Sequence, residues 1–272
     1  MTLTTEQLAE FMSTAVEAAR RGAEVLESWR GRFVVREKGR ADLVSEADEG
    51  SQKAIREFLL GKYPQHQFLG EEECVGKSVD AVRPPAGAPP TWVVDPLDGT
   101  SNYVHDIPMY CVSIGLVVDG RPVVGVVFDP RINETFTAAL GCGAFLNGKP
   151  MKVSSIPTVS QAMLATGFPA DMQRHLRNLE VWKRLAGESQ SIRRTGSTAL
   201  NLAYVAAGRF DGYWGFDNYA WDVAAGAVLI TEAGGTVTSA SGSDFDPFRA
   251  DMLATNGHIH AELMPVIASP LQ

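Results

Sequence analysis

Asp95 and Asp98 stand on either side of Pro96 and Leu97 in the stretch W-V-V-D-P-L-D-G-T-S-N-Y-V-H at 92–105. Trp92, Val93 and Val94 favour a strand. Pro96 lacks an amide and restrains the residue before it, so it is expected to end that strand with the Asp95 carboxylate at its tip. Gly99 can adopt the left-handed backbone of a sharp reversal, and Thr100, Ser101 and Asn102 read as the start of a short helix. The free amides there can seat an anion. Carboxylates beside a bound phosphate repel it unless hard divalent cations lie between them, and magnesium, with its preference for oxygen ligands, suits that place. The composition D-x-x-D-G also makes ordinary solvated turns with an Asx cap, so the turn alone leaves its function open.

Three further acids fall where elements begin or end, which is where sites gather: Glu71 after the strand Phe68-Leu69-Gly70, Asp48 in a second helix, and Asp222 at the start of a later one. The elements that must position them read as follows. A first helix, capped by Thr4 or Thr5, runs to about Trp29 on apolar positions Leu8, Phe11, Met12, Ala15, Ala19, Ala23 and Leu26. A strand at 33–36, a polar turn at 38–42, a helix at 45–63 and a strand at 67–70 follow, then a Pro- and Gly-rich loop at 76–90. Runs at 110–118 and 121–128 joined by Asp119-Gly120 read as a hairpin, extended by strands at 135–139 and 143–146. The second half alternates: strand 162–166, helix 171–186, strand 191–193, a helix opened by Gly196-Ser197-Thr198 and running to 207, and strand 210–214. Helix 220–233, strands 236–238 and 252–255 and helix 258–267 complete it. This is an α+β pattern of stacked helices and sheets, expected as a single domain over 1–272 with halves near 1–155 and 156–272.

The formal net charge of -8 excludes a general binder of nucleic acid or anionic membrane, which needs basic patches. It does not exclude a small phosphate ester, because bound metal reverses the local sign. Cys74, Cys111 and Cys142 have neither a zinc spacing nor a C-x-x-C pair, as expected of thiols in a reducing compartment. Residues 1–10 carry no apolar signal core, and no apolar run has the length of a membrane span, so a cytoplasmic protein is expected. His258 and His260 are expected at the surface rather than on zinc, and His105 as a structural hydrogen-bonder. Trp29, Trp92, Trp182 and Trp214 are expected in core or interface, and Glu72 and Glu73 as neighbours of Glu71.

The motifs G-E-E at 70–72, D-P-L-D-G-T at 95–100 and W-D-V-A-A at 221–225 together resemble the inositol monophosphatase family of magnesium-dependent phosphatases. Supporting matches are K-x-x-x-D-L-V-S-E-A-D at 38–48, G-x-G-A-F-L-N-G at 141–148, R-x-x-G-S at 193–197 and T-E-A-G-G at 231–235. They keep the family's order and span nearly the whole chain. The resemblance implies a layered α-β-α-β-α sandwich and two or three Mg2+ ions per site, held by Glu71, Asp95, the Leu97 carbonyl, Asp98 and Asp222, with Asp95 bridging. It implies that Glu71 and Thr100 orient and deprotonate a water, that Asp48 holds the Thr100 hydroxyl, and that the Gly99 and Thr100 amides grip the phosphate without a covalent intermediate. Ser197 matches a substrate-side residue, Lys38 a basic residue near the metals, and homodimers are the family habit. The resemblance thus implies a Mg2+-dependent phosphomonoesterase acting on a small polyol or sugar phosphate.

One departure concerns the alcohol. Inositol-hydrolysing members carry a glutamate seven residues before the Trp-Asp aspartate; here that position is Gly215, with Asp217 two residues on. Asp217 would suit a cationic leaving group such as histidinol, and Arg194 a bisphosphate such as fructose-1,6-bisphosphate; 3′-phosphoadenosine 5′-phosphate is also a substrate of relatives. A reading of another class is a regulatory module that keeps the fold without catalysis and acts on a protein or RNA partner. The retained Glu71, Asp95, Asp98, Thr100 and Asp222 argue against it.

Overall fold

The computed structural model describes residues 3–39, 42–74, 79–168, 176–249 and 251–269. Helix α1 (Thr5–Trp29) starts at Thr4, whose side chain accepts from the Gln7 amide while Gln7 returns a bond to the Thr4 amide. Strands β1 (Val35–Gly39) and β2 (Asp42–Ser45) form an antiparallel pair before α2 (Glu46–Lys62). Next come β3 (Gln67–Gly70), a 3-10 turn at Glu71–Glu73, α3 (Val79–Val82), β4 (Thr91–Asp98) and α4 (Thr100–Val104). A meander follows through β5 (Cys111–Val118), β6 (Arg121–Asp129), β7 (Glu134–Ala139), β8 (Gly143–Leu146) and β9 (Lys149–Pro150). The second half contains β10 (Met163–Thr166), α5 (Leu176–Ala186), β11 (Ser191–Arg193), α6 (Thr198–Ala206) and β12 (Gly212–Gly215). It ends with α7 (Ala220–Glu232), β13 (Thr236–Ser239), β14 (Met252–Thr255) and α8 (His260–Ala268).

Among the described residues β3 to β9 form one sheet in chain order, parallel only at β3–β4. A second sheet has the order β11-β10-β12-β14-β13. Strand alternation assigns each face its layer. Trp92, Val94, Ile114, Leu116, Val124 and Val126 point to α1 and α2, meeting Leu8, Phe11, Ala15, Leu26, Ile55 and Leu59. Val93 points the other way, to Ala220 and Ala224 of α7. Ala165, Tyr213 and Ala254 of the second sheet meet α6 and α7, while Leu164, Trp214 and Leu253 meet α5 and α8. The result is the α-β-α-β-α sandwich, with α6 and α7 between the sheets. No helix among the described residues is long and apolar enough to cross a membrane.

Several boundaries depart from the sequence reading. Pro96 does not end its strand: β4 runs on to Asp98. Pairing with β3 stops at Gly70↔Val94, and the β4–β5 register shifts between Asp95 and Asp98, so the missing amide of Pro96 breaks no ladder bond. The strand expected at 33–36 starts at Val35, and the expected polar turn at 38–42 takes in the end of β1 and the first residue of β2, with positions 40–41 outside the described residues. The loop at 76–90 contains α3, and the expected helix start at 171–175 lies outside the described residues. The hairpin at Asp119-Gly120 forms as read, both residues having positive φ, 50° and 77°.

Contact between α7 and the first sheet depends on two strand glycines. A Cβ at Gly115 would lie 2.9 Å from the Ala224 Cβ, and one at Gly125 would run into the carbonyl of Ala225, with its Cα 3.0 Å away. Gly125→Ala is therefore expected to push α7 off β6 and cost about 1–3 kcal/mol, the usual penalty for overpacking. Urea unfolding measures it, and wild-type stability in the variant would mean that α7 is not pinned there.

Candidate active site

The two sheets meet at a cleft lined on one side by Glu71, Asp95, Leu97, Asp98, Gly99 and Thr100. The other side is Gly167, Phe168, Thr198, Phe216, Asp217, Asn218, Tyr219, Trp221 and Asp222. The irregular end of β4 turns both of its acids inward: Asp95 is 3% exposed and Asp98 8%. Asp95 Oδ1 accepts from the Leu97 amide at 2.9 Å, which locks the short D-P-L turn. Asp98 reaches across to the start of α6, where Oδ2 accepts from Ser197 Oγ and the Ala199 amide, both at 2.6 Å, and Oδ1 from the Thr198 amide at 3.2 Å. A carboxylate suits a helix start, where unpaired amides and the helix dipole favour negative charge. Asp222 stands in the first turn of α7, and its Oδ2 accepts from the Tyr219 amide at 2.8 Å.

The Thr100 hydroxyl lies 3.1 Å from Asp48 Oδ1 and 3.1 Å from the Leu97 carbonyl, able to donate to either. Asp48 is itself buried in the first turn of α2. Gly99 precedes α4 at φ 100°, and a Cβ there would lie 2.8 Å from the Met109 carbonyl, so only glycine brings the Thr100 amide round the corner.

Crowding of acids has an electrostatic price. Burial, then the charges of Glu71, Asp98 and Asp222, and then a hydrogen bond with Glu71 push Asp95 well above the ordinary carboxylate range. Burial pushes Asp98 up to about 6, although the bonds from Ser197, Ala199 and Thr198 pull it down. Among the described residues no three such side chains are already drawn into a finished ion cage. The donor set itself fits a hard divalent cation: carboxylate and carbonyl oxygens only, with Asp95, Leu97 and Asp98 buried and no lysine or arginine in the lining.

Other expected residues separate. Ser197 is 1% exposed and tucked behind Asp98, so the residue of that turn facing the cleft is Thr198. Asp217 is exposed on the cleft wall, its amide donating to Asp251 Oδ1 at 3.3 Å. The Arg194 guanidinium sits 5.8 Å from the Phe168 ring, beside the cleft. Lys38 lies on β1, and its side chain is outside the described set. His105 is exposed at the end of α4 and forms no side-chain hydrogen bond among the described residues, contrary to its expected structural role. His258 is exposed, but His260 is half-buried between the Thr238 and Thr255 hydroxyls at 3.1 and 3.0 Å. Trp92 and Trp214 are core, and Trp29 is 37% exposed. Glu73 pairs with Arg56, and the Glu72 amide donates to Gln52 Oε1. The sequence reading missed two features: the clasp of Asp98 by α6, and Asn218. G-S-T signals a helix start but not what it binds, and Asn218 lies in no motif.

For metal-free protein the upward shifts have a definite sign. Stability from the protonated Asp95 and Asp98 is fully present below their unfolded values near 4 and is lost as pH rises through their raised folded values, about 6 for Asp98. Asp95→Asn keeps an acceptor for the Leu97 amide and removes one charge. In chelator the variant is therefore expected to melt above wild type at pH 7 and level with it near pH 4. Magnesium is expected to raise the Tm of the wild type and to leave that of the variant nearly unchanged. Melting scans over pH, with and without magnesium, check all three, and a variant that melts lower at pH 7 would show that repulsion is not what Asp95 contributes.

Residues 7–272 match the model of the inositol monophosphatase family. An inositol-1-monophosphatase from Synechocystis is 42% identical, covering 97% of this chain and 89% of that protein. A protein named Nus factor SuhB from Pseudomonas aeruginosa is also 42% identical, over 85% of this chain and 86% of its own. The solved inositol monophosphatase from Anabaena superposes with a TM-score of 0.82 at 37% identity, covering 97% of this chain and 96% of that one.

Proposed function

The chain belongs to the inositol monophosphatase family of phosphoric monoester hydrolases, and from that premise we propose a Mg2+-dependent phosphatase that cleaves a small polyol or sugar phosphate by direct attack of water. The observation that carries the reading is the Thr100 hydroxyl, held between Asp48 and the Leu97 carbonyl beside the crowded acids of the cleft. Glu71, Asp95, Asp98, Asp222 and the Leu97 carbonyl would hold the ions. When bound, magnesium lowers the pKa of a coordinated water and offsets the charge of the ester.

The chain's own residues then move one proton and fix one geometry. Thr100 donates its hydroxyl proton to Asp48 as it accepts the proton of the attacking water, and Glu71 orients that water from the opposite side. The water oxygen forms the new P–O bond while the ester oxygen leaves with its bonding pair and takes a proton from solvent. The Gly99 and Thr100 amides hold the phosphate oxygens in line. Asp217, exposed on the wall, supports histidinol phosphate as one candidate ester, and Arg194 beside Phe168 supports fructose-1,6-bisphosphate as another. We carry over the homodimer from the family pattern.

Phosphate release from a panel of about ten esters tests the reading. Activity should require magnesium, fail with calcium, whose looser shell does not hold nucleophile and phosphate in line, and fall with lithium. Full turnover in excess chelator would sink the mechanism. Thr100→Ala should lower kcat by on the order of a hundredfold while calorimetry finds its magnesium affinity nearly unchanged. Parallel loss of affinity would make Thr100 a ligand support instead. A second reading rests on the similarity to a protein named Nus factor, which raises a regulatory role on a protein or RNA partner. The net charge of -8 speaks against direct RNA contact.

A further inference from the structure

Asp98 shows the cleft one oxygen and turns the other away from it. Its Oδ2 accepts from the Ser197 hydroxyl and the Ala199 amide, both at 2.6 Å, and the Cys111 thiol lies 3.8 Å from the same atom. Ser197 is 1% exposed and Cys111 fully buried, and neither lines the cleft. Oδ1 accepts a single longer bond among the described residues, at 3.2 Å from the amide of Thr198, which does line the cleft. The Ser197 hydroxyl has little latitude. As the cap of α6 it accepts from the Leu200 amide at 3.3 Å, which aims its own proton at Asp98. The loop that carries it is tied down as well. Asn102 Nδ2 donates to the Met109 carbonyl at 2.7 Å and to the Thr195 carbonyl at 2.8 Å, and Gly196, at φ 88°, closes so tightly on that amide that a Cβ would lie 2.8 Å from its nitrogen.

Resting on the phosphatase reading above, we propose that Ser197 is a positioning residue for metal choice: by holding Oδ2 against α6 it makes Asp98 a one-oxygen ligand and tilts the site toward magnesium over calcium. The two ions differ in what they ask of a carboxylate. Magnesium demands near-ideal octahedral geometry at short distance, which a fixed single oxygen serves. Calcium takes more oxygens in a looser shell and is readily served by both oxygens of one carboxylate. Asp95 and Asp222 follow the same pattern, each giving one oxygen to a backbone amide, that of Leu97 and that of Tyr219. Those amides are fixed by the chain, whereas the hold on Asp98 includes a side chain that substitution can remove. Without the Ser197 hydroxyl, Oδ2 keeps only the Ala199 amide of its two close donors and can turn toward the cleft. The site then loses a rigid ligand for magnesium and gains an oxygen for calcium. Groups that orient a metal ligand from behind change affinity by about 10–100-fold when removed.

Calorimetric titration of magnesium and of calcium, each into full-length protein stripped of metal by chelator, tests this without reference to turnover. Ser197→Ala should weaken magnesium binding while calcium binding holds or tightens, so that the ratio of calcium to magnesium affinity rises by about tenfold. Ser197→Gly removes the same hydroxyl and caps a helix nearly as well as serine. It should give the same shift, and it keeps the test available if the alanine variant does not fold. Ser197→Thr retains the hydroxyl and should keep the wild-type ratio. Alanine and glycine variants in which both affinities fall together, leaving the ratio fixed, would make Ser197 a helix cap alone and overturn the inference. A folded threonine variant that shifts as alanine does would overturn it too, since the hydroxyl would then not be the cause. Wild type that binds neither ion would overturn the metal-dependent phosphatase reading and this inference with it.

Discussion

Asp98 is an acid of the first sheet whose charge is met by a helix of the middle layer. Three donors at the start of α6 converge on its two oxygens, two of them at 2.6 Å, across 99 to 101 positions of sequence. Charge-assisted bonds of this kind are among the stronger polar contacts available, and here they also fix direction. They hold the carboxylate in place before any ligand arrives. Asp98 can be gripped this way only because α6 is delivered to it, and α6 is delivered by its contact with α7. Gly226 allows that contact, since a Cβ there would press into the Leu202 side chain. Gly115 and Gly125 in turn let α7 lie against β5 and β6 of the sheet that carries the acidic turn. The cleft is therefore set from the middle layer outward.

The same middle layer explains why the acids are tolerable at all. Three of them stand at places where backbone amides are unpaired: the D-P-L turn for Asp95, the start of α6 for Asp98 and the start of α7 for Asp222. Each amide answers part of a charge without consuming both oxygens of every carboxylate. Burial and then the charge left unanswered raise Asp95 and Asp98, and on the reading proposed above that cost is what a bound cation would relieve. A fold selected only for stability would place asparagine at such positions.

How much of this could be read from the chain depended on whether the cause was local. The ends of β3, β8, β11 and β14 were legible because glycine or polar residues bound each short run within a few positions. The turn at Asp119-Gly120 was legible because both residues had to tolerate positive φ. Pro96 misled: its effect depends on whether a neighbour strand needs its amide, and β3 had already ended. The β1–β2 pair was misread because its polar residues look like a turn until their pairing is known. Glu71, Asp95, Asp98, Thr100 and Asp222 could be named from motifs, and all five line one cleft. Ser197 shows the limit: sequence placed it near the substrate, while the fold spends its hydroxyl on Asp98. Gly215 was visible as a missing side chain, but that Asn218 fills its volume is a fact of packing alone.

Between the last residue of β12 and the first of α7 the chain has only Phe216, Asp217, Asn218 and Tyr219. Both ends of this bridge are anchored, one in the second sheet and the other in the helix that carries Asp222. On the reading given above, Asp217, a candidate contact for the alcohol, sits on the bridge, while the groups that cut the ester sit on α7 and around the opposite sheet. Descent with modification can then act on the two separately. A lineage can exchange bridge residues and acquire a new diet while inheriting its hydrolytic machinery intact, which is how one scaffold comes to serve many esters.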